Sequence, residues 1–374
     1  MEIKIPYDSS VVLVGAPLSG KTSFSDKYLT DKEDILVCDD LNIAKADRQK
    51  AISYAKEHDK QTVCIVFNLD GEVLAERNRK ERKYRKRDII AKADSVKMIS
   101  THLDEDGFNY IYILNNEEEI NNCEVIFERL NCDKKELSGP FDIIGDVHGC
   151  YYELCKLLKR LGYKDDKGYY YHAERTAVFT GDFTDKGNNN VKVLKLIRDM
   201  VNNNTALAVL GNHDDKILRY LNNNEVVTNK GMNKTLNELT LESEEEKNSL
   251  KEFLEKLPAH LVLDNGKLIV VHAGIKKEYV NKVSRRVKEF CLYAETTQDI
   301  DGFNIPQRTF NWTGEWTDDT LIIYGHTPRL KPYKLNNTLC IDTGCVLGGS
   351  LSAYKYPEDK VTSTSAKKNY LKDK

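Results

Sequence analysis

The sequence predicts an α/β protein of two domains followed by a short polar tail. A chain of 374 residues is too long for a domain with a single ordinary hydrophobic core, so its length suits two domains of about 150 to 200 residues each. Apolar strand-like runs alternate with helical patterns over residues 1–132, and a second series of such runs lies in residues 139–360. The last segment, 361–374, is polar.

In the first half, helical patterns separate the apolar runs, which favours a parallel sheet with helical crossovers. These runs are VVLVG (11–15), DILVC (34–38), TVCIVFNL (62–69) and YIYIL (110–114). Residues 131–140 are polar and end in Gly-Pro, which is typical of a linker. The later runs are FDIIGD, TAVFTGD, LAVLGN, LIVVHAG, LIIYGH and TLCIDTG. Each ends in polar or ionisable residues, and sites in α/β folds collect at the carboxyl ends of strands.

Composition and charge exclude few functions. The 56 Lys and Arg against 59 Asp and Glu give a net charge of −3, so nucleic acid would need a local basic patch. Nine scattered cysteines include no Cys-x-x-Cys pair that would indicate zinc or a disulfide framework. The polar N-terminus and the lack of an apolar run near ~18 residues predict a cytoplasmic protein without a membrane span.

The stretch GAPLSGKT after the first strand run fits the Walker A pattern, Gly-x-x-x-x-Gly-Lys-Thr. In such a P-loop, backbone N–H groups surround phosphates, the lysine reaches the β- and γ-phosphates, and the Thr hydroxyl holds magnesium. The sequence therefore predicts a Mg²⁺ and ATP site in an N-terminal P-loop NTPase domain with a parallel sheet. Its predicted contact residues are Gly15, Ser19, Gly20, Lys21, Thr22 and Ser23.

Five short motifs in the second half predict a two-metal centre. They are GDVHG, GDFTDKG, GNHD, VHAG and GHTP, in that order. Carboxylates, an amide and imidazoles together suit a pair of divalent transition ions such as manganese. Such a pair supports attack on a phosphoester. The predicted ligands are Asp146, His148 and the bridging Asp182 for the first ion, and Asn212, His272 and His326 with Asp182 for the second.

These motifs resemble those of the calcineurin-like metallophosphoesterases. The resemblance implies an αββα sandwich in the C-terminal domain. It also implies that His213 of GNHD protonates or stabilises the leaving oxygen and that Asp185 orients this histidine. The family usually has an arginine where this chain has Lys186, which keeps the charge but loses the two-pronged grip on phosphate. We expect weaker phosphate binding or altered substrate choice.

Longer stretches over roughly residues 139–357, such as GPFDIIGDVHGCYYEL and CIDTGCVLGGSLSAYKYPE, resemble the phosphatase module of bacterial polynucleotide kinase-phosphatases. The resemblance implies a manganese-dependent enzyme that removes 3′-phosphate, 2′-phosphate or 2′,3′-cyclic phosphate from RNA ends, with Asp342 near the substrate. It also implies a homodimer that works beside a 3′-end methyltransferase. The Lys-x-Asp-Gly motif of that family's ligase module does not occur in this sequence, so sealing would need a separate RNA ligase.

The basic run ERNRKERKYRKRD (76–88) resembles the arginine lid of polynucleotide kinases. Such a lid closes over ATP and stabilises the charge of the phosphoryl group in transfer. Taken alone, a run of this kind is more often a solvated helix face. The resemblance adds Arg77, Arg79, Arg82 and Arg87 to the predicted nucleotide site.

The general base of a 5′-kinase is harder to assign. If DDLN (39–42) follows the base strand, Asp39 or Asp40 is the base, although the arginine that the family places three residues later is absent. If DDLN is instead the family's later Asp-x-x-Asn turn, the strand-helix unit that carries the base has been deleted. The short spacing between Asp40 and Val63 favours the deletion. ATP would then bind while 5′-hydroxyl phosphorylation is slow or absent.

The sequence thus predicts an RNA end-healing phosphoesterase with a kinase-like N-terminal domain. One alternative keeps the hydrolase and changes its substrate to a dinucleoside polyphosphate or a phosphoprotein, because related folds act on both. Another treats the N-terminal domain as a nucleotide-responsive RNA clamp without kinase chemistry.

Overall fold

A computed structural model of the chain describes residues 1–32, 34–300, 306–309 and 311–372. It divides into two compact units, of which the first holds Met1–Leu130 and the second holds Asn131–Asn281 and Arg285–Lys374. The predicted domains 1–132 and 139–360 follow nearly the same division. No helix in the described part of the chain is long and apolar enough to cross a membrane.

The first unit is built on a four-stranded parallel sheet. Its order is β3-β2-β4-β5, and β1 and β6 form a separate parallel pair. The strands are β1 (Glu2–Pro6), β2 (Ser9–Gly15), β3 (Leu36–Cys38), β4 (Gln61–Phe67), β5 (Tyr110–Leu114) and β6 (Glu124–Glu128). The helices are α1 (Lys21–Tyr28), α2 (Lys45–Glu57), α3 (Gly71–Glu81), α4 (Lys86–Ser100) and α5 (Glu117–Asn122).

Strand β2 is apolar along its whole length because both faces of this sheet are covered. Val11 and Leu13 pack into one core with helix α1, whereas Val12 and Val14 pack into a second core with α2 and α4. Coverage on both faces is the usual environment of a parallel strand. The chain leaves β2 at Gly15 and enters α1 through a loop in which Gly20 has φ 97°.

The second unit contains two larger sheets. One has the order β10-β9-β8-β18-β19 and the other β16-β17-β15-β12-β11-β7, with β13 and β14 as a small hairpin. The strands are β7 (Asp133–Lys134), β8 (Phe141–Ile144), β9 (Thr176–Phe179), β10 (Ala206–Ala208), β11 (His260–Leu263), β12 (Leu268–Val271), β13 (Thr296–Ile300), β14 (Pro306–Arg308), β15 (Leu321–Tyr324), β16 (Tyr333–Leu335), β17 (Thr338–Cys340), β18 (Ser350–Tyr356) and β19 (Lys360–Ser365). The helices are α6 (Tyr151–Leu161), α7 (Asn190–Asn202), α8 (Asn212–Leu221), α9 (Lys230–Leu239), α10 (Glu244–Lys256), α11 (Arg285–Tyr293) and α12 (Asn311–Glu315).

These two sheets pack face to face between outer layers of helix. Ile143 and Val178 of one sheet share a buried cluster with Val270 and Ile323 of the other. A second cluster joins α6, α7, α8 and α10 to the outer face of the five-stranded sheet, and a third joins α11 and α12 to the six-stranded sheet. The layers are therefore α, β, β and α, as the sequence resemblance implies.

All of the quoted apolar runs contain strands, from β2 to β17. Two segments differ from the expectation. The predicted linker 131–140 supplies β7, which pairs with β11 at the edge of the six-stranded sheet. The predicted polar tail forms β19, after which Lys367 N and Tyr370 Oη donate hydrogen bonds to the buried Glu153 carboxylate of α6.

Buried His260 of β11 should make stability depend on pH. Burial lowers the pKa of His260 from 6.5 to about 4, and its Nε2 accepts a hydrogen bond from Asn281 N. Between these pH values the unfolded chain binds the extra proton, so the free energy of unfolding falls as pH falls. Urea unfolding of the wild type should lose about 2 kcal/mol from this group between pH 7.5 and pH 5. His260→Gln, which keeps an acceptor but does not titrate, should lack that component. Equal pH slopes for the two proteins would contradict the assignment.

Candidate metal centre and P-loop site

Five of the predicted metal ligands lie where strands end. Asp146, Asp182 and Asn212 follow β8, β9 and β10 of one sheet, whereas His272 and His326 follow β12 and β15 of the other. Within each sheet these strands run parallel, so their carboxyl ends lie along one edge. The face-to-face packing of the sheets brings the two edges together and forms the site between them.

The loops of this site adopt an unusual backbone conformation. His148, Asp182, Asp185, Lys186 and His326 all have positive φ, between 44° and 71°. Non-glycine residues rarely adopt such angles, and they cluster at functional sites when the surrounding structure fixes them. A Cβ on the residue before His326 would run into the Asp146 carboxylate, so glycine is required there.

His148 and Asp182 form the core of the first ligand group. His148 Nε2 lies 3.3 Å from Asp182 Oδ2, and His148 Nδ1 lies 2.8 Å from the carbonyl of Thr184. Hydrogen bonding of Nδ1 to this carbonyl assigns the tautomer and leaves the Nε2 lone pair directed at the site. Burial, and then the charge of Lys186, lower the pKa of His148 well below its usual range, which keeps the ring in the neutral form that binds metals.

His272 is the centre of the second group. Its Nδ1 lies 3.0 Å from the carbonyl of Thr180, and its Nε2 lies 3.4 Å from Asp182 Oδ1. The same Nε2 is 2.9 Å from both Asn212 Oδ1 and His326 Nδ1. Donation from Nδ1 to Thr180 makes Nε2 an acceptor that faces the oxygen of Asn212, and a cation between them would stabilise this arrangement.

The buried carboxylates of the site would also be stabilised by a cation. Burial, and then the neighbouring Asp342 and Asp182, raise the pKa of Asp146 well above its usual range. Burial alone would raise the pKa of Asp182 too, but the nearby histidines and Lys186 outweigh it and hold this pKa well below its usual range. The donor set of carboxylates, imidazoles and an amide therefore fits divalent ions.

Among the described residues of this site, two groups of atoms lie close enough to hold an ion each, and Asp182 belongs to both. One set is His148, Asp182 and His213, and the other is Asp182, His272 and His326. His213 lies close to the first group as well. Asp146, predicted as a ligand of the first ion, is buried beside Asp182 and accepts a hydrogen bond from His326 N at 2.9 Å, so its role as a ligand stays a prediction.

His213 is oriented by two further residues. Its Nδ1 lies 2.6 Å from Asp185 Oδ2, and Asp185 Oδ1 accepts a hydrogen bond from Thr235 Oγ1 at 2.7 Å. The histidine and Asp185 are thus paired as the sequence resemblance implies. Thr235 lies in α9, outside every motif, and no sequence signal indicated it.

Asp214, the last residue of GNHD, has a structural role that the sequence did not predict. It is fully buried, and its carboxylate accepts hydrogen bonds from the backbone N–H groups of Phe183, Thr184 and Gly211. It therefore fixes the loop after β9 against the start of α8. Its position in the first turn of a helix was the available signal, because an acidic residue there commonly accepts from backbone N–H groups.

Lys186 and Asp342 lie at the open side of the centre. Lys186 Nζ is 2.9 Å from His148 Nε2, and Asp342 Oδ1 accepts from Gly344 N at 3.0 Å. Both line a cavity of about 60 Å³ together with His148 and His326. The ammonium group of Lys186 therefore lies close both to the predicted ligand His148 and to this cavity.

In the first unit, the predicted P-loop residues surround the start of α1. Lys21 is buried, and its Nζ donates to the carbonyls of Gly15 and Ala16. A cavity of about 950 Å³ opens here, and its lining includes Ser19, Gly20 and Lys21. Thr22 and Ser23 line the same cavity. Burial lowers the pKa of Lys21, and the charges of Asp39 and Asp40 oppose this effect.

Only part of the predicted arginine lid reaches this cavity. Arg77 and Arg79 line it, and Arg77 Nη1 donates to the carbonyl of Leu18 at 2.6 Å. Arg82 and Arg87 are exposed and are not among the residues that line this cavity, so their place in the nucleotide site stays a prediction. Arg82, with φ 51°, follows the last residue of α3, and Arg87 lies in the first turn of α4 beside its own partner, Asp88.

The DDLN segment forms a turn after β3. The side-chain amide of Asn42 donates to the carbonyls of Leu13, Cys38 and Asp40, which ties this turn to the P-loop strand. Strand β3 pairs directly with β2, and only α2 separates it from β4. The described residues between α1 and β4 contain no additional strand-helix unit, which favours the deletion interpretation over the base-strand one.

Because Asp182 belongs to both ligand groups, Asp182→Asn should reduce manganese binding at both positions. After dialysis against manganese, elemental analysis should give about two ions per wild-type chain and fewer than one for Asp182→Asn. His272→Ala touches one group only and should keep about one ion. Asp199→Asn, on the partly exposed Asp199 of α7, is the matched control and should bind like the wild type. Retention of two ions by Asp182→Asn would refute the shared ligand.

Comparison with known proteins agrees with this geometry. Residues 139–355 match the calcineurin-like phosphoesterase family. An asymmetrical bis(5′-nucleosyl)-tetraphosphatase, PrpE, from Oceanobacillus iheyensis is 40% identical over 238 residues, which are 62% of this chain and 95% of that protein. Its counterpart from Bacillus subtilis is 38% identical over 235 residues, with 62% of this chain and 96% of that protein covered.

Among solved structures, a protein serine/threonine phosphatase from Saccharomyces cerevisiae is 16% identical, with 63% of this chain and 82% of that chain covered and a TM-score of 0.45. The two close relatives are tetraphosphatases, so the narrower resemblance to polynucleotide kinase-phosphatases is not shown. The wider resemblance is confirmed, and members of this family use divalent metal ions. By its matched residues and its site, the chain belongs to the calcineurin-like phosphoesterase family.

Proposed function

We propose that the second unit hydrolyses dinucleoside polyphosphates asymmetrically and that the first unit binds ATP. The observation that carries the first part is the 40% identity to a tetraphosphatase that this chain covers over 95% of its length. This favours the dinucleotide substrate over the RNA ends that the sequence alone suggested. The metal ligands and the paired His213 and Asp185 supply chemistry that is common to both substrates.

The roles of the chain's own residues follow from the contacts in the site. A pair of divalent ions, when bound, supplies charge stabilisation and an activated water. Hydrogen bonding of Nδ1 to Asp185 leaves Nε2 of His213 to give a proton to the oxygen that departs with the nucleotide. Thr235 fixes Asp185, and Asp185 in turn holds the ring of His213 in its orientation. Lys186 neutralises phosphate charge beside His148.

A substrate comparison tests this reaction. With manganese, the wild type should cleave diadenosine tetraphosphate to ATP and AMP, and His213→Asn should be slower by about hundredfold or more, because proton transfer to the leaving oxygen is lost. Product separation by liquid chromatography measures both. His102→Asn, which changes an exposed histidine of the first unit, should retain full activity.

RNA end-healing is the second candidate, because residues 1–138 lie outside the family match and contain the P-loop. Substrates with 3′-phosphate, 2′-phosphate and 2′,3′-cyclic phosphate RNA ends belong in the same assay. Activity on these ends without activity on the dinucleotide would reverse the order of the two candidates.

ATP binding by the first unit is supported by the Walker A spacing and by the strand, loop and helix that contain it. Lys21→Ala should weaken ATP binding in calorimetry by at least tenfold, since the mutation removes the cation placed for the phosphates. Lys27→Ala in the exposed last turn of α1 is the matched control. Equal affinities for the wild type and Lys21→Ala would contradict the site.

The same pair of variants tests phosphoryl transfer. The short segment between α1 and β4 supports binding without efficient transfer to a 5′-hydroxyl oligonucleotide. Robust Lys21-dependent transfer would show a kinase, whereas binding without transfer would favour the nucleotide-responsive RNA clamp.

A further inference from the structure

The P-loop cavity has two chemically different walls. Residues Leu18–Ser23 form one wall, and the other contains Arg77, Arg79, Lys83 and Tyr84 from the end of α3 and the loop after it. Its volume of about 950 Å³ lies within the range of small-molecule sites, about 300 to 1,000 Å³. There is space for more than a phosphate chain.

The wall with the P-loop is suited to phosphates. Lys21 Nζ is held by two loop carbonyls, and Arg77 reaches the carbonyl of Leu18. Ser19 is only 1% exposed, and its Oγ has no hydrogen bond partner within the described part of the chain. A buried hydroxyl without a partner is costly, and an anion in the loop would satisfy it.

Tyr84 adds an aromatic side chain to the residues from α3 and the following loop that line the cavity. Its side chain is 45% exposed, yet its backbone is firmly held. Asn78 of α3 donates from Nδ2 to Tyr84 O at 2.7 Å and accepts from Tyr84 N at 3.2 Å. Asn78 is itself buried, so this two-bond clamp connects the loop to the helix that also carries Arg77.

This clamp holds an exposed aromatic ring beside a phosphate site. A large ring that stays in water in the free protein gains from stacking on a planar ligand. Fixing its backbone in advance lowers the entropy lost on binding. No other aromatic side chain is among the residues that line this cavity in the described chain.

We propose that Tyr84 is the stacking surface for the nucleobase of the triphosphate whose phosphates occupy the P-loop, an inference that rests on the proposed ATP site. Asn78 is a positioning residue that acts through the backbone of Tyr84. Stacking on an aromatic ring tolerates every base. The site therefore binds ATP and GTP with similar affinity.

Calorimetry with ATP, GTP and inorganic tripolyphosphate, each with magnesium, tests the role of Tyr84. Tyr84→Ala should weaken the binding of both nucleotides by about tenfold, which is within the range for loss of base stacking. It should leave tripolyphosphate affinity within about twofold of the wild type, because that ligand has no base. Tyr84→Phe retains the ring and should bind nucleotides as the wild type does.

Tyr54→Ala is the matched control, because Tyr54 is equally exposed at 45% in the same unit but does not line the cavity. Unchanged nucleotide binding by Tyr84→Ala would overturn the proposal. An equal loss for tripolyphosphate would overturn it too, since the ring would then act on the phosphates. If the wild type binds neither nucleotide nor tripolyphosphate, the P-loop proposal itself fails.

Discussion

The second unit depends on the position of the Asp182 carboxylate. Its two oxygens lie near His148 Nε2 and His272 Nε2, while its backbone carbonyl accepts from the N–H groups of Val147 and His148. Oδ1 also accepts from the backbone N–H of His213. One residue thus links its own motif to three of the other four. The positive φ of Asp182, 52°, is energetically unfavourable for a residue other than glycine. The packing of the two sheets stabilises this conformation.

The sequence predicted the strand ends at which the proposed metal ligands lie, because a buried strand that stops at a polar residue has few alternatives in an α/β fold. It could not predict Thr235, which comes from a helix whose spacing carries no chemical pattern. It did not locate the break between α3 and α4, so Arg82 and Arg87, which it assigned to the nucleotide site, are not among the residues that line the cavity. The sequence could not predict the substrate either, because these motifs indicate how a phosphoester is cleaved and not which groups the phosphate carries.

The two proposed activities share one chemical class of ligand. Asymmetrical cleavage of a dinucleoside tetraphosphate releases a nucleoside triphosphate and a monophosphate, and a nucleoside triphosphate is also the proposed ligand of the P-loop. The two sites differ in the charge that their own side chains contribute. Buried carboxylates and neutral histidines in the second unit require cations, whereas Lys21 and Arg77 in the first unit supply them.

The C-terminal strand sets the smallest fragment that can retain the hydrolase fold. A fragment cut at residue 355, where the family match ends, would lose β19 and leave β18 as an open edge able to pair with other molecules. It would also remove Lys367 and Tyr370 from the buried carboxylate of Glu153 on α6, the helix that begins directly after the GDVHG loop. An excised second unit therefore needs the chain through at least Tyr370 to keep the edge of β18 paired and the Glu153 carboxylate hydrogen-bonded.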